Sequence, residues 1–158
     1  MSADSFEIKR LQSQDLKEAL SLFRETVKHI NASDYEHHEL EFWLSLVKEE
    51  KWQHRIDNDF FIKAENGKGL VGFASLKNGQ YIDLLYVHKD YQGKGIATML
   101  LQTLIKKGVS EGHKNFDTHA SKTAQPFFTK RGFQTIKSNT VGDGVMTITN
   151  YLMTLRLK

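Results

Sequence analysis

The chain has 158 residues, a formal net charge of +3 and no cysteine. That length suits one domain, residues 1-158, with its own core, and 39% apolar against 26% charged residues is the balance of a globular chain. Without cysteine there is no disulfide, thiolate metal site or cysteine nucleophile. No apolar run approaches the ~20 residues that span a bilayer, MSADSFEIKR does not read as a signal peptide, and no basic stripe marks a nucleic-acid surface. A soluble, cytoplasmic protein that engages neither membrane nor nucleic acid is expected.

In chain order, Phe6–Arg10 alternates as a short strand. Ser13 can cap a helix with Asp15 in its first turn; Leu16, Leu20, Phe23 and Val27 give that helix one apolar face, ending near Ile30-Asn31. Ser33 or Asp34 caps a second helix carrying Leu40, Trp43, Leu44 and Val47, and the charged stretch Lys48–Ile56 suits a further turn or short helix. Phe60–Ala64, Leu70–Leu76 and Tyr81–Val87 read as three consecutive antiparallel strands joined at Asn66-Gly67 and Asn78-Gly79. A polar stretch, His88–Gln92, leads into Gly93-Lys94-Gly95, and from Ile96 the apolar residues Ile96, Met99, Leu100 and Leu104 recur at helical spacing, with Gly108 where a C-cap glycine is expected.

Asn115–Ala120 reads as a strand. Lys122–Arg131 reads as a helix, starting near Thr123 because Pro126 is tolerated only in a first turn; Gly132 stops it. Phe133–Val141 and Val145–Leu157 are two last strands around Gly142-Asp143-Gly144. The order is α+β: a mixed, mostly antiparallel sheet of about seven strands flanked by about four helices, with the Tyr81–Val87 and Asn115–Ala120 strands parallel across the intervening helix.

The glycine loop carries the strongest chemical signal. A glycine turn feeding a helix start leaves backbone N–H groups pointing one way, and the helix dipole adds positive charge there, so the place suits a phosphate. The Walker A pattern is absent, and the dinucleotide pattern GxGxxG fails at Thr98. Gln92-Gly93-Lys94-Gly95-Ile96-Ala97 instead resembles the Q/R-x-x-G-x-G/A motif of the GNAT superfamily of N-acetyltransferases. A second block, Ser121-x-x-Ala124-x-x-Phe127-Phe128-x-x-x-Gly132-Phe133, is similar to that family's later motif, N-x-x-A-x-x-F-Y-x-x-x-G-F.

The resemblance implies a GNAT fold and acetyl-CoA as acetyl donor. The amides of Gln92, Gly93, Lys94, Gly95, Ile96 and Ala97 would hold the pyrophosphate. The pantetheine would pair with the strand Leu85-Tyr86-Val87, using the Leu85 and Val87 amides, and would pass Ser121, Phe127 and Phe128. The Tyr81–Val87 and Asn115–Ala120 strands would splay apart at their C-terminal ends. The combination Tyr81-Ile82-Asp83, Pro126-Phe127-Phe128 and Gly132-Phe133-Gln134-Thr135 looks most like the YafP-like branch. The acceptor would be the primary amine of a small molecule or peptide, and the protein a monomer or homodimer.

Transfer to an amine needs a base, since a free alkylammonium has a pKa of ~10. Strand parity puts Tyr81, Asp83 and Leu85 on one face and Ile82, Leu84 and Tyr86 on the other, unless a bulge intervenes. The resemblance points to Asp83 and Tyr81 as base-like positions. Asp83 is either a base, acting directly or through water, or an aspartate satisfied by a neighbouring group. His119, near the end of the strand before Ser121, is the second candidate or an ordinary strand-end residue. Phe128 stands where many members of the family have the tyrosine that protonates the thiolate; water or another tyrosine, Tyr86 or Tyr151, takes that role, or the thiolate leaves unprotonated. Ser121 stands where the family has asparagine, and serine is shorter, so that contact would be lost or water-bridged.

The acceptor cleft would be lined from His29–Trp43 and Val141–Met146, with Tyr35, His38, Phe42 and Trp43 as aromatic and polar walls unless Phe42 and Trp43 are core. His29, His37 and His38 spell no metal site. The alternative to an enzyme is a catalytically weak CoA-binding or sensor module, which Phe128 alone favours.

Overall fold

The computed structural model describes residues 5–142 and 147–158. Seven strands form one sheet: β1 (Glu7–Arg10), β2 (Phe60–Asn66), β3 (Gly69–Lys77), β4 (Tyr81–Val87), β5 (Asn115–Ser121), β6 (Gln134–Gly142) and β7 (Thr147–Arg156), in the order β1-β2-β3-β4-β5-β7-β6. Only β4 and β5 pair in parallel; every other neighbouring pair is antiparallel. Among the described residues five α-helices flank the sheet: α1 (Leu16–His29), α2 (His37–Ser45), α3 (Glu49–Asn58), α4 (Ile96–Ser110) and α5 (Gln125–Lys130).

Alternation along the strands divides the core in two. On one face Leu16, Leu20, Phe23 and Val27 of α1, with Trp52 of α3, close over Phe61, Phe73 and Leu84. On the other face Ile96, Leu100, Leu101 and Leu104 of α4, with Phe128 of α5, cover Ile62, Ala74, Phe116 and Met153. The charged segment after α2 is thus a helix, because Trp52 and Ile56, four residues apart, both reach the core.

Several local expectations are corrected. The first helix is capped not by Ser13 but by a turn starting at Gln12, whose N–H donates to Asp15 at 2.9 Å; Asp15 also accepts from Lys63 at 3.1 Å and so ties the helix entry to β2. The second helix is capped by Glu36, with Glu39 accepting from its N–H at 2.9 Å, rather than by Ser33 or Asp34. The fifth helix starts at Gln125, with Pro126 in its first turn. Gly108 is not a C-cap: it lies inside α4, where a Cβ would meet the Gly79 carbonyl and the Phe116 ring. The left-handed residue beyond that helix is Gly112, at φ +93°. Of the Gly142-Asp143-Gly144 turn, Asp143 and Gly144 lie outside the described residues, as do Val145 and Met146.

The β4 register carries the most consequential departure. Ser75 pairs with Leu84 but Leu76 with Ile82, so Asp83 is an extra residue on β4. This bulge moves Ile82 to the α4 face with Leu85 and Val87, and leaves Leu84 and Tyr86 on the α1–α3 face. The expected grouping of Ile82 with Leu84 and Tyr86 therefore fails, and Asp83 stands at the kink.

Candidate functional site

The site begins where β4 and β5 part. They pair only at Tyr81 with Asp117 and Ile82 with Thr118, and the Thr118 hydroxyl donates to the Ile82 carbonyl at 2.8 Å at the last pairing. Beyond it β4 keeps β3 on one side only. The His88 N–H donates to the Val71 carbonyl at 2.8 Å, so alternation turns the Val87 and Leu85 amides away from β3 and into the opening. The Val87 carbonyl, on the same side, accepts from Gln92 Nε2 at 2.6 Å and Thr26 Oγ1 at 3.3 Å.

Gln92 thereby ties the loop back onto the strand. After it the chain turns through Gly93 at φ +73° and Gly95 at φ +82°, conformations that cost a side-chain-bearing residue. Gly95 opens α4, and its carbonyl accepts the helix's first bond, from Met99, at 3.1 Å. The amides of Ile96, Ala97 and Thr98 have no acceptor within the helix. A Cβ at Gly93 or Gly95 would meet nothing within 4 Å, so the loop faces open space. This is a concave backbone cradle at a positive helix end, the arrangement a pyrophosphate requires.

Two connected cavities continue from the cradle. One of about 150 Å³ is lined by Thr26, Leu85, Val87, Gln92, Ala97 and Phe127, among others, and one of about 230 Å³ by Tyr35, Trp43, Asp83, His119, Phe128 and Asn150, among others. Leu85, Tyr86, Ser121 and Ala124 line both. Each holds a buried polar atom without a protein partner, Thr123 Oγ1 in the smaller and Asn150 Oδ1 in the larger. Unmatched buried oxygens at a cavity wall suit a polar ligand. The cradle, the inward amides and these oxygens together fit an extended thioester cofactor with a pyrophosphate at one end.

Of the candidate proton-transfer groups, Asp83 and His119 line the larger cavity, whereas Tyr81 lines a neighbouring one with His119, Lys137 and Leu152. Asp83, with a side chain 17% exposed, has Arg55 Nε 3.7 Å from its Oδ2, an ion pair too long for a hydrogen bond. The Tyr81 hydroxyl and His119 Nδ1 are 2.7 Å apart. Burial, then the Asp83 charge, push the Tyr81 hydroxyl up to about 12. Burial also holds the Tyr86 hydroxyl well above the ordinary tyrosine range. Tyr35 is braced: its hydroxyl donates to the Thr149 carbonyl at 3.0 Å and accepts from the Lys122 N–H at 2.7 Å, and burial pushes it to about 12.

Phe128 is 3% exposed and packs edge-on against Phe127 and Phe133, with no donor to offer. Of the two substitute tyrosines, Tyr86 lines both cavities, while Tyr151 packs in the cluster under α4 and α5. Ser121 Oγ accepts the Ala124 N–H at 3.1 Å, so this shorter side chain is engaged at the entry to α5.

Of the residues expected to wall the acceptor cleft, Tyr35 and Trp43 line the larger cavity and His38 and Phe42 do not. His29, His37 and His38 pair instead with Glu25, Glu41 and Glu36. Among the described residues no group of three or more His, Asp or Glu is placed to hold a metal ion, and no helix is long and apolar enough to cross a membrane. Sequence reasoning missed Asn150, Thr123 and Arg55. It also missed Arg131, whose guanidinium donates to Thr98 Oγ1 and lies 3.9 Å over the Phe127 ring, beside the start of α4. Arg131 caps the end of α5, and its place there gave no sign of the contact to Thr98; a cation four residues beyond an aromatic, Phe127, was the available hint.

Residues 31–155 match the family model described as an acetyltransferase (GNAT) domain. The chain is 31% identical over 150 residues to an uncharacterized N-acetyltransferase, YafP, of Escherichia coli, covering 95% of each. It is similar at a TM-score of 0.92 and 31% identity to a GCN5-related N-acetyltransferase from Rhodopseudomonas palustris, covering 99% of both chains. A PaiA N-acetyltransferase from Thermoplasma acidophilum, solved in complex with coenzyme A, shares the fold at a TM-score of 0.78 and 22% identity over 96% of this chain and 99% of that one. With the family model covering most of its length, and with this strand order and glycine cradle, the chain belongs to the GNAT acetyltransferase family.

Proposed function

We propose that this protein, one domain over residues 1-158, is a cytoplasmic acetyl-CoA-dependent N-acetyltransferase acting on the primary amine of a small molecule or peptide. The observation that carries the reading is the continuous path from the Gly93–Gly95 cradle, past the inward amides of β4, to a cavity holding a carboxylate and an imidazole. Bound acetyl-CoA would supply a thioester, at which the acceptor nitrogen forms a C–N bond while the C–S bond breaks and the electron pair leaves with sulfur.

The chain's own residues would do the rest. Amides from Gln92 to Ala97 hold the pyrophosphate, and those of Leu85 and Val87 bond the pantetheine and stabilise negative charge developing on the thioester oxygen. Asp83 accepts the amine proton, directly or through one water. Arg55, at 3.7 Å, keeps that carboxylate turned into the cavity without a short bond to displace. Tyr81, neutral because of its raised pKa, holds His119 by the 2.7 Å bond. When Tyr81 donates, His119 carries its hydrogen on Nε2 and serves as a donor rather than a base. Tyr86, also protonated and lining both cavities, is the candidate donor for the departing sulfur in place of Phe128.

A second reading, a CoA-binding module with little chemistry, is favoured by Phe128 alone, which removes the usual proton donor. Thiol release from acetyl-CoA over a panel of amines, run beside a CoA titration, separates the two. Amine-dependent release supports the enzyme; saturable CoA binding with no release from any amine supports the module.

A further inference from the structure

Arg55 lines a third cavity, of about 170 Å³, on the α1–α3 side of the sheet, together with Lys51, Trp43, Trp52, Leu84 and Tyr86, and its guanidinium reaches Asp83, which lines the larger one. Trp43, Leu46, Leu84 and Tyr86 line both compartments, so the two share a wall rather than lying at separate ends of the molecule. Lys51 and Arg55 are four residues apart on α3 and so project from the same helical face. Among the described residues Lys51 has no carboxylate within 4 Å, and Arg55 has only the long contact to Asp83 at that range, with the Asp59 charge acting on it from farther away. The rest of the third compartment is apolar and aromatic: Phe23 stands 5.2 Å from Trp52 and 6.4 Å from Trp43, centroid to centroid.

The charges decide what fits. Of the Lys, Arg, Asp and Glu residues lining the two compartments, two are cations, Lys51 and Arg55, and one is a carboxylate, Asp83; Asp59, whose charge also acts on Arg55, lines neither. A plain alkylammonium entering beside Asp83 would compete with Arg55 and bring the two lining cations no anion in return. A zwitterion does the reverse: its ammonium takes Asp83, its acid takes the released guanidinium and Lys51, and one long ion pair is exchanged for two charge-assisted contacts. The arginine fork matches a carboxylate in particular.

Resting on the N-acetyltransferase reading above, we propose that the acceptor is an amine that also carries a carboxylate and an apolar body, an amino acid of the neutral apolar kind. Its amine lies beside Asp83, its carboxylate on Arg55 and Lys51, and its side chain against Trp43 and Trp52.

The test is binding of a matched pair, phenylalanine and 2-phenylethylamine, to the full chain saturated with CoA, followed by calorimetry. The two probes differ only in the carboxylate. The acid is expected to bind about tenfold tighter or more, as hydrogen bonds to a charged group imply. K51M should shrink that ratio, and K51M/R55M should abolish it, with CoA affinity unchanged in both. Equal affinity of the two probes overturns the inference. So does the absence of binding by either probe to protein that still binds CoA, or a ratio that survives in folded K51M/R55M. Those outcomes leave the acetyl-CoA assignment standing, whereas failure of the wild type to bind CoA removes that assignment and this inference with it.

Discussion

Gly95→Asp separates a loop that merely turns from one that holds phosphate. Gly95 sits at φ +82°, so any side chain there costs about 1 kcal/mol of left-handed strain. No atom lies within 4 Å of the added Cβ, so there is no clash to add to that cost, and a carboxylate at the start of α4 recovers about 0.5 kcal/mol from the helix dipole. The variant should therefore fold with a melting temperature close to that of the parent. The same open space is where the pyrophosphate is assigned. A carboxylate ~5 Å from a phosphate charge, at an effective dielectric of about 40, costs roughly 1.7 kcal/mol per charge. The expected loss is thus about 2 kcal/mol or more, about thirtyfold in CoA affinity. Calorimetric titration of CoA reads it, with a thermal melt as the folding check. Lys94→Ala should do less, because backbone amides form the cradle. Unchanged CoA affinity in folded Gly95→Asp protein would refute the cradle assignment.

Asp83→Asn keeps volume and removes basicity, so turnover should fall ~10²–10⁴-fold while CoA affinity barely changes; His119→Gln is the matched control, and loss confined to that variant would make His119 the base. Tyr81 and Tyr35 are pushed from 10 to about 12, so their contribution to stability is full below pH 10 and is lost as pH rises toward 12. Melts across that window should show the loss, smaller in Tyr81→Phe, and a flat profile would contradict it. Gly108→Ala would gain about 1 kcal/mol on an isolated helix, yet here it should destabilise by about 1–3 kcal/mol, because the methyl meets the Gly79 carbonyl and the Phe116 ring; denaturant melts decide the sign.

What could be read from the residues was whatever leaves a periodic or compositional trace. Leu16, Leu20, Phe23 and Val27 announce a helix face and are all buried, and the β4–α4 loop announces itself through two glycines that both adopt positive φ. The bulge leaves no such trace. One extra residue at Asp83 changes neither composition nor length, yet it reverses the faces of everything before it. Capping was misread because Gln12 and Glu36 are uncommon caps, and the obvious candidate Ser33 spends its hydroxyl on the Ile30 carbonyl instead. Gly108 looked like a helix stop because its true constraint, the Phe116 ring, lies on another strand. The partners that shape the site, Arg55 for Asp83, Tyr81 for His119 and Thr149 for Tyr35, are tens of residues apart in the chain, and no local pattern connects them.

The central claim is that this chain passes an acetyl group from acetyl-CoA to an amine at the opening between β4 and β5. The most direct measurement is thiol release by the full chain at saturating acetyl-CoA over a panel of amines with and without a carboxylate, with Gly95→Asp and Asp83→Asn alongside. The expected result is amine-dependent release that saturates in acetyl-CoA, requires a far higher acetyl-CoA concentration in Gly95→Asp, and loses turnover but not CoA affinity in Asp83→Asn. Tight CoA binding with no release above the amine-free rate, for any amine, would contradict it.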